Sequence, residues 1–213
     1  MHNEPVAQAG APLAEARKVL VMLHGRGGNA RAFIELAGKL NLNTAEYAVV
    51  APQAIGNSWY PYGFMEPVQR NEPQLSLSLS AIAELLDDLG AFALAPEDVY
   101  FLGFSQGACL MLEYCARHAR RYGGVIAFTG GLIGPRLDTS RYRGSFAGTP
   151  IFVGASDYDP HVPEHRVHET EAVLGKMDAK VIKKIYPGMG HAIGPDELKI
   201  ADLILNDQLT HYW

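Results

Sequence analysis

Cysteine is scarce in this chain: Cys109 and Cys115 are the only two among 213 residues. On one helix they would sit about 9 Å apart along the axis, beyond the roughly 7 Å between Cα atoms that a disulfide tolerates. No CxxC accompanies them, which argues against a structural zinc site, and thiols without partners point to a reducing compartment, the cytoplasm. Positive charge is also in deficit. Lys and Arg number 18 against 23 Asp and Glu, a formal net charge of −5, so the basic footprint of a nucleic-acid binder is missing. No apolar run approaches the roughly 18 residues a membrane span needs. The opening MHNEPVAQAG has neither the basic nor the apolar stretch of a secretory signal. Repeats, low-complexity tracts and charge runs are absent too.

What is present is the composition of a globular protein, 48% hydrophobic and 19% charged. Residues 1–17 are small, Ala/Pro-rich and weakly patterned, an entry segment. Residues 18–213 are expected to form one domain. Short apolar runs mark strands at 18–23, 47–51, 98–104, 123–129, 150–154 and 180–186. The first five are nearly all apolar, as strands covered on both faces should be; the last alternates and suits an edge. Amphipathic stretches at 29–40, 77–94, 107–121, 163–177 and 195–208 predict helices, two of them opened by Pro163 and Pro195. Strands alternating with helices predict an α/β fold: a mostly parallel central sheet with helices on both faces. In such sheets, sites lie just beyond the carboxyl ends of the strands.

Three strand ends carry chemistry. After 98–104 comes Gly103-Phe104-Ser105-Gln106-Gly107, a G-x-S-x-G between a strand and a helix. A serine on so sharp a turn exposes its Oγ, and side chains two residues to either side would collide. The alternative is an ordinary glycine-flanked turn. After 18–23 comes His24-Gly25-Arg26-Gly27-Gly28, where glycines let the backbone approach a ligand and aim an N–H inward. A phosphate cradle would want G-x-G-x-x-G or a P-loop lysine, and neither is there. His24 reads as a structural hydrogen-bonder. Asp157 and Asp159 follow 150–154, and His191 follows the last strand in the run Pro187-Gly188-Met189-Gly190-His191. The order Ser, Asp, His is that of the α/β-hydrolases.

The stretches LHGRGG, APQ at 51–53, SWY at 58–60, GFSQGA, DPHVP at 159–163 and GMGH at 188–191 together resemble the phospholipase/carboxylesterase family of serine α/β-hydrolases, which includes the acyl-protein thioesterases. The resemblance spans nearly the whole chain from residue 18. It implies Ser105 as nucleophile, His191 as base, Asp159 as the acid that orients it, and oxyanion-binding N–H groups from Arg26 and Gln106. It implies hydrolysis of small carboxylic esters or thioesters; no cofactor or metal is expected, the expected state is a monomer or homodimer, and the short stretch left over for a cover points to short to medium acyl chains. Departures from the family pattern are Ala155-Ser156 where His-Gly is frequent, and Gly28 and Pro61 where aspartates are frequent. They touch the substrate side and not the three central residues. Alternatives are a lactone-opening hydrolase, whose dienelactone members carry cysteine at the elbow, and a non-catalytic binding module on the same fold.

Trp59, Tyr60, Phe64 and Met65 are candidate substrate-binding residues; the competing account is a hydrophobic loop packed on the core. The longest stretch outside predicted elements is 52–76, too short for a lid domain. His161, His165 and His168 fall on or near the fourth helix and read as a solvated face rather than a metal cluster. Cys109 and Cys115 read as small core residues on the helix after the elbow, and Arg117, Arg120 and Arg121 as complements to that helix's C-terminal dipole.

Overall fold

The computed structural model describes residues 6–209. Seven strands form one sheet: β1 (Ala7–Gly10), β2 (Lys18–Leu23), β3 (Tyr47–Ala51), β4 (Val99–Phe104), β5 (Gly124–Phe128), β6 (Pro150–Ser156) and β7 (Lys180–Tyr186). Their order is β1-β3-β2-β4-β5-β6-β7. Strands β2 to β7 run parallel, whereas β1 pairs antiparallel with β3, Ala7 opposite Ala51. This is the α/β-hydrolase fold, with no lid domain among the described residues.

The six strands marked by apolar runs are β2 to β7, and the alternating one, β7, is an edge. β6 continues two residues past Gly154, to Ser156. The segment 1–17 holds a strand that its pattern does not announce. β1 is mostly exposed at the other edge, so no run of apolar residues is needed to hold it. Gly10 ends β1 at φ +72°, and a Cβ there would come within 2.3 Å of Tyr47 O.

The helices are α1 (Ala30–Ile34), α2 (Gln74–Gly90), α3 (Gln106–Arg117), α4 (Glu164–Lys176) and α5 (Pro195–Leu205). The helix expected at 29–40 is α1 followed by a 3-10 turn over Glu35–Lys39. Asn29 caps it, its Oδ1 accepting from Ala32 N at 2.9 Å. α2 starts and stops earlier than expected. α3 ends at Arg117 rather than 121, because Ala119 N turns away to donate to Arg143 O at 3.1 Å.

Alternation along β2 divides the core. Val19, Val21 and Leu23 pack with α2, α3 and α4 on one face. Leu20 and Met22 pack with α5 and the α1 region on the other. Side chains this size each contribute about 1.5–3 kcal/mol when fully buried. Two buried layers therefore hold β4 rigidly at the sheet centre, and β4 delivers Ser105.

Candidate active site

Ser105 sits between β4 and α3 at φ 54°, ψ −119°, a conformation that costs a non-glycine residue of order 1–3 kcal/mol. The flanking glycines make it attainable. A Cβ on Gly103 would lie 2.7 Å from Ala108 N, and one on Gly107 would lie 2.2 Å from Leu23 O. The turn is held by Ser105 N donating to Phe128 O at 3.0 Å on the neighbouring strand. The steric account of G-x-S-x-G applies here atom by atom.

Ser105 Oγ lies 2.9 Å from His191 Nε2, and His191 Nδ1 lies 2.8 Å from Asp159 Oδ2. The other carboxylate oxygen, Oδ1, accepts from His161 N at 2.7 Å and Val162 N at 3.0 Å. Burial pushes the Asp159 carboxyl up, but the His191 bond and these two backbone N–H groups outweigh it and hold it below the usual carboxylate range. An ionised Asp159 keeps the proton on Nδ1, which leaves Nε2 to accept from the serine hydroxyl.

Asp157, the other acid considered at this strand end, is exposed and does a different job. Its Oδ1 accepts from Gly188 N at 2.7 Å. Ser156 Oγ accepts from Gly190 N at 3.0 Å and donates to Tyr186 O at 3.1 Å. These two side chains tie β6 to the glycine-rich loop that presents His191. Ser156, one of the departures from the family pattern, had no signal in the sequence beyond its place beside the acid.

A cleft of about 340 Å³ opens over Ser105. Arg26 and Gln106 both line it. Gln106 is the first residue of α3, so its N–H has no intrahelical acceptor. The side chains of the same two residues build the opposite wall. Arg26 donates to Ser58 Oγ at 3.0 Å, Pro61 O at 2.8 Å and Tyr62 O at 2.6 Å. Gln106 donates to Tyr60 O at 2.7 Å and accepts from Trp59 N at 3.0 Å. Asn71 continues the network, accepting from Tyr62 N at 2.8 Å and donating to Gly63 O at 3.0 Å. The segment after β3 is thus a pinned wall.

The aromatic candidates divide. Tyr60 and Phe64 line the cleft. Trp59 and Met65 are not among the residues that line it. Trp59, 2% exposed, turns beneath the loop, donating from Nε1 to His24 O at 2.8 Å and stacking at a tilt on the His24 ring. Met65 packs against the core on the α2–α4 face. Hydrogen bonding decides this: the Trp59 indole is held on His24 O beneath the loop, and the next residue, Tyr60, is left to line the cleft.

His24 is structural, as its position suggested. Its Nδ1 donates to Gly25 O at 2.8 Å and its Nε2 accepts from Ala54 N at 3.2 Å, and burial pushes it below the usual histidine range. Cys109 and Cys115 are free and buried, with burial pushing the Cys109 thiol up to about 12, far from a reactive thiolate. Of the three histidines near α4, His168 pairs with Glu164 at 3.0 Å on an exposed face. His161 departs from that expectation: it precedes the helix and lies edge-on to His191, ring centroids 4.7 Å apart. No group of three His, Cys, Asp or Glu among the described residues is placed to hold a metal, and no helix there is long and apolar enough to cross a membrane.

The sequence pattern of a family described as phospholipase/carboxylesterase matches residues 5–208. Acyl-protein thioesterase 1 of Saccharomyces cerevisiae is 26% identical over 212 residues, covering 89% of this chain and 92% of its own. The putative esterase NocK of Nocardia uniformis is 31% identical over 162 residues, 74% of this chain and 44% of its own. The crystal structure of a phospholipase/carboxylesterase from Dyadobacter fermentans matches with a TM-score of 0.93 at 48% identity, over 96% of this chain and 97% of that one.

Proposed function

The chain belongs to the phospholipase/carboxylesterase family and is an ester hydrolase, and from that premise we propose that it works through Ser105, His191 and Asp159 by way of an acyl-enzyme. The observation that carries this is the unbroken chain from Asp159 Oδ2 to His191 Nδ1 at 2.8 Å and from His191 Nε2 to Ser105 Oγ at 2.9 Å. Ser105 Oγ attacks the acyl carbon as its proton passes to His191 Nε2. Asp159 stabilises the imidazolium and fixes its orientation. The carbonyl oxygen, now an oxyanion, accepts from the Arg26 and Gln106 backbone N–H groups; losing one such donor costs about 3 kcal/mol. His191 returns the proton to the departing alcohol or thiol. Water then gives a proton to His191 and its oxygen to the acyl carbon, releasing the acid and restoring Ser105.

The cleft, about 340 Å³, is at the small end of the roughly 300–1,000 Å³ of ligand pockets. Its deep wall is Tyr60, Phe64, Cys109 and Val162, all buried. Both features support short to medium acyl chains of small dissolved esters or thioesters. Free, buried Cys109 and Cys115 support work in a reducing, cytoplasmic setting.

A fluorophosphonate probe tests the nucleophile: it labels the wild type and not Ser105→Ala. A folded Ser105→Ala variant with near-normal turnover sinks the assignment. A p-nitrophenyl ester series from acetate to palmitate tests the cleft. Each methylene buried adds about 0.8 kcal/mol until the pocket is full, so kcat/KM rises over the first carbons and then falls. A jump in rate at the solubility limit, with the longest chains preferred, would overturn the size reading.

A further inference from the structure

We propose that the leaving group of the natural ester carries a carboxylate, received at the mouth of the cleft by the His161 imidazole in the positive field of Arg26. This rests on the roles of Ser105 and His191 given above. His191 Nε2 must hand its proton to the departing atom, so the leaving group passes beside the His191 ring. Two cleft-lining rings lie there, Phe104 tilted at 5.1 Å and His161 edge-on at 4.7 Å between ring centroids, and of the two only His161 can donate a hydrogen bond. Its backbone N–H is fixed by Asp159 Oδ1 at 2.7 Å, so the loop that presents it cannot drift independently of the catalytic residues.

Depth separates the two halves of the substrate. Tyr60, Phe64, Cys109 and Val162 are buried and face the inner end of the cleft, a place for an acyl chain. Arg26 and His161 are exposed and stand at the mouth. They follow β2 and β6, which lie on opposite sides of β4 in the sheet, so they bracket Ser105.

The charge at the mouth is uncompensated. None of the cleft-lining residues is Asp or Glu. Among the described residues the Arg26 guanidinium meets neutral groups, the oxygens of Ser58, Pro61 and Tyr62 and, at 5.9 Å, the face of the Tyr60 ring, which leave its charge in place. Asp159, the carboxylate behind the wall, is covered and committed to His191 and two backbone N–H groups. The whole chain carries −5, so general electrostatics would repel an anion; attraction has to come from this local pair. A neutral imidazole still donates one N–H to a carboxylate.

The test compares meta-carboxyphenyl butyrate with meta-carbamoylphenyl butyrate. The two differ in charge and hardly in shape, and both form the same butyryl-enzyme. The expected result is a kcat/KM ratio of about tenfold in favour of the carboxylate, the size of one charge-assisted hydrogen bond. The ratio shrinks as salt is added. His161→Gln brings the ratio close to one, and melting curves confirm that the variant is folded. A wild-type ratio at or below one overturns the proposal, as does an unchanged ratio in His161→Gln. A parallel pair, phenyl hemisuccinate and phenyl succinamate, carries the charge on the acyl side. A preference confined to that pair overturns the leaving-group placement. Failure of the catalytic reading looks different: neither butyrate is hydrolysed and Ser105 takes no label.

Discussion

Two buried carboxylates stand on either side of the loop that carries His191, and they are built in opposite ways. Asp159 has a donor for each need: His191 Nδ1 on one oxygen, two backbone N–H groups on the other. Glu197, in the first turn of α5, has a donor on one oxygen only, Gly194 N at 2.7 Å. Its other oxygen has no partner among the described residues. It sits against β6, where a Cβ on Gly154 would approach it to 2.1 Å. Burial raises both. For Asp159 the donors win and the carboxyl falls below its ordinary range. For Glu197 burial wins over the single Gly194 N–H, with the Asp196 charge adding to it, and the carboxyl is pushed up to about 7. Burial alone therefore does not say which acid is ionised; the count of donors does.

The comparison breaks most sharply on activity. Asp159→Asn should lower kcat by about 10⁴-fold, since the wrong imidazole tautomer is then favoured, while Glu197→Gln leaves kcat close to wild type. Similar losses in the two variants would show that Glu197 belongs with the catalytic residues.

The next largest effect is on stability against pH, and the two acids should have opposite signs. Asp159 has a lowered folded value, so its contribution is present above the unfolded pKa and is lost as pH falls through the folded one. Glu197 has a raised value, about 7 against 4.5, so the folded state holds the proton more tightly. Its contribution is full below the unfolded value and is lost as pH rises toward and past 7. Across pH 5 to 8 the loss reaches up to about 3 kcal/mol. Urea midpoints of wild type and Glu197→Gln should accordingly differ more at pH 8 than at pH 5, to the variant's advantage. A constant difference refutes this account.

Packing gives a smaller effect. Gly154→Ala forces Glu197 Oε1 aside and should cost about 1–3 kcal/mol, the usual cost of overpacking. Adding Glu197→Ala should restore part of it, a coupling that a double-mutant cycle detects. Purely additive losses would mean the two positions do not share the space. The smallest effect is expected at Asp157→Asn, which keeps an oxygen for Gly188 N. A kcat loss larger than that of Asp159→Asn would exchange the roles of the two aspartates.

Much of this was legible in residue order. The six long strands, the elbow serine and the histidine after the last strand are each announced by neighbours in the chain: an apolar run, or glycines that a tight turn requires. β1 was not legible, because an exposed edge strand needs no apolar run. The division of the aromatic loop was not legible either. Trp59 and Tyr60 are adjacent and alike in composition, yet one packs on His24 and the other lines the cleft.

The sequence by itself determined which residues could do the chemistry and in what order the strands would deliver them, because sterics and periodicity act between near neighbours. Only the tertiary structure decided that Arg26 and Gln106 pin the opposite wall with their side chains. The same holds for Ser156 and Asp157 tying down the histidine loop, His161 lying against His191, and Glu197 being left one donor short. Each of these depends on two segments far apart in the chain meeting in one register, and that register is set by the burial of both sheet faces at once.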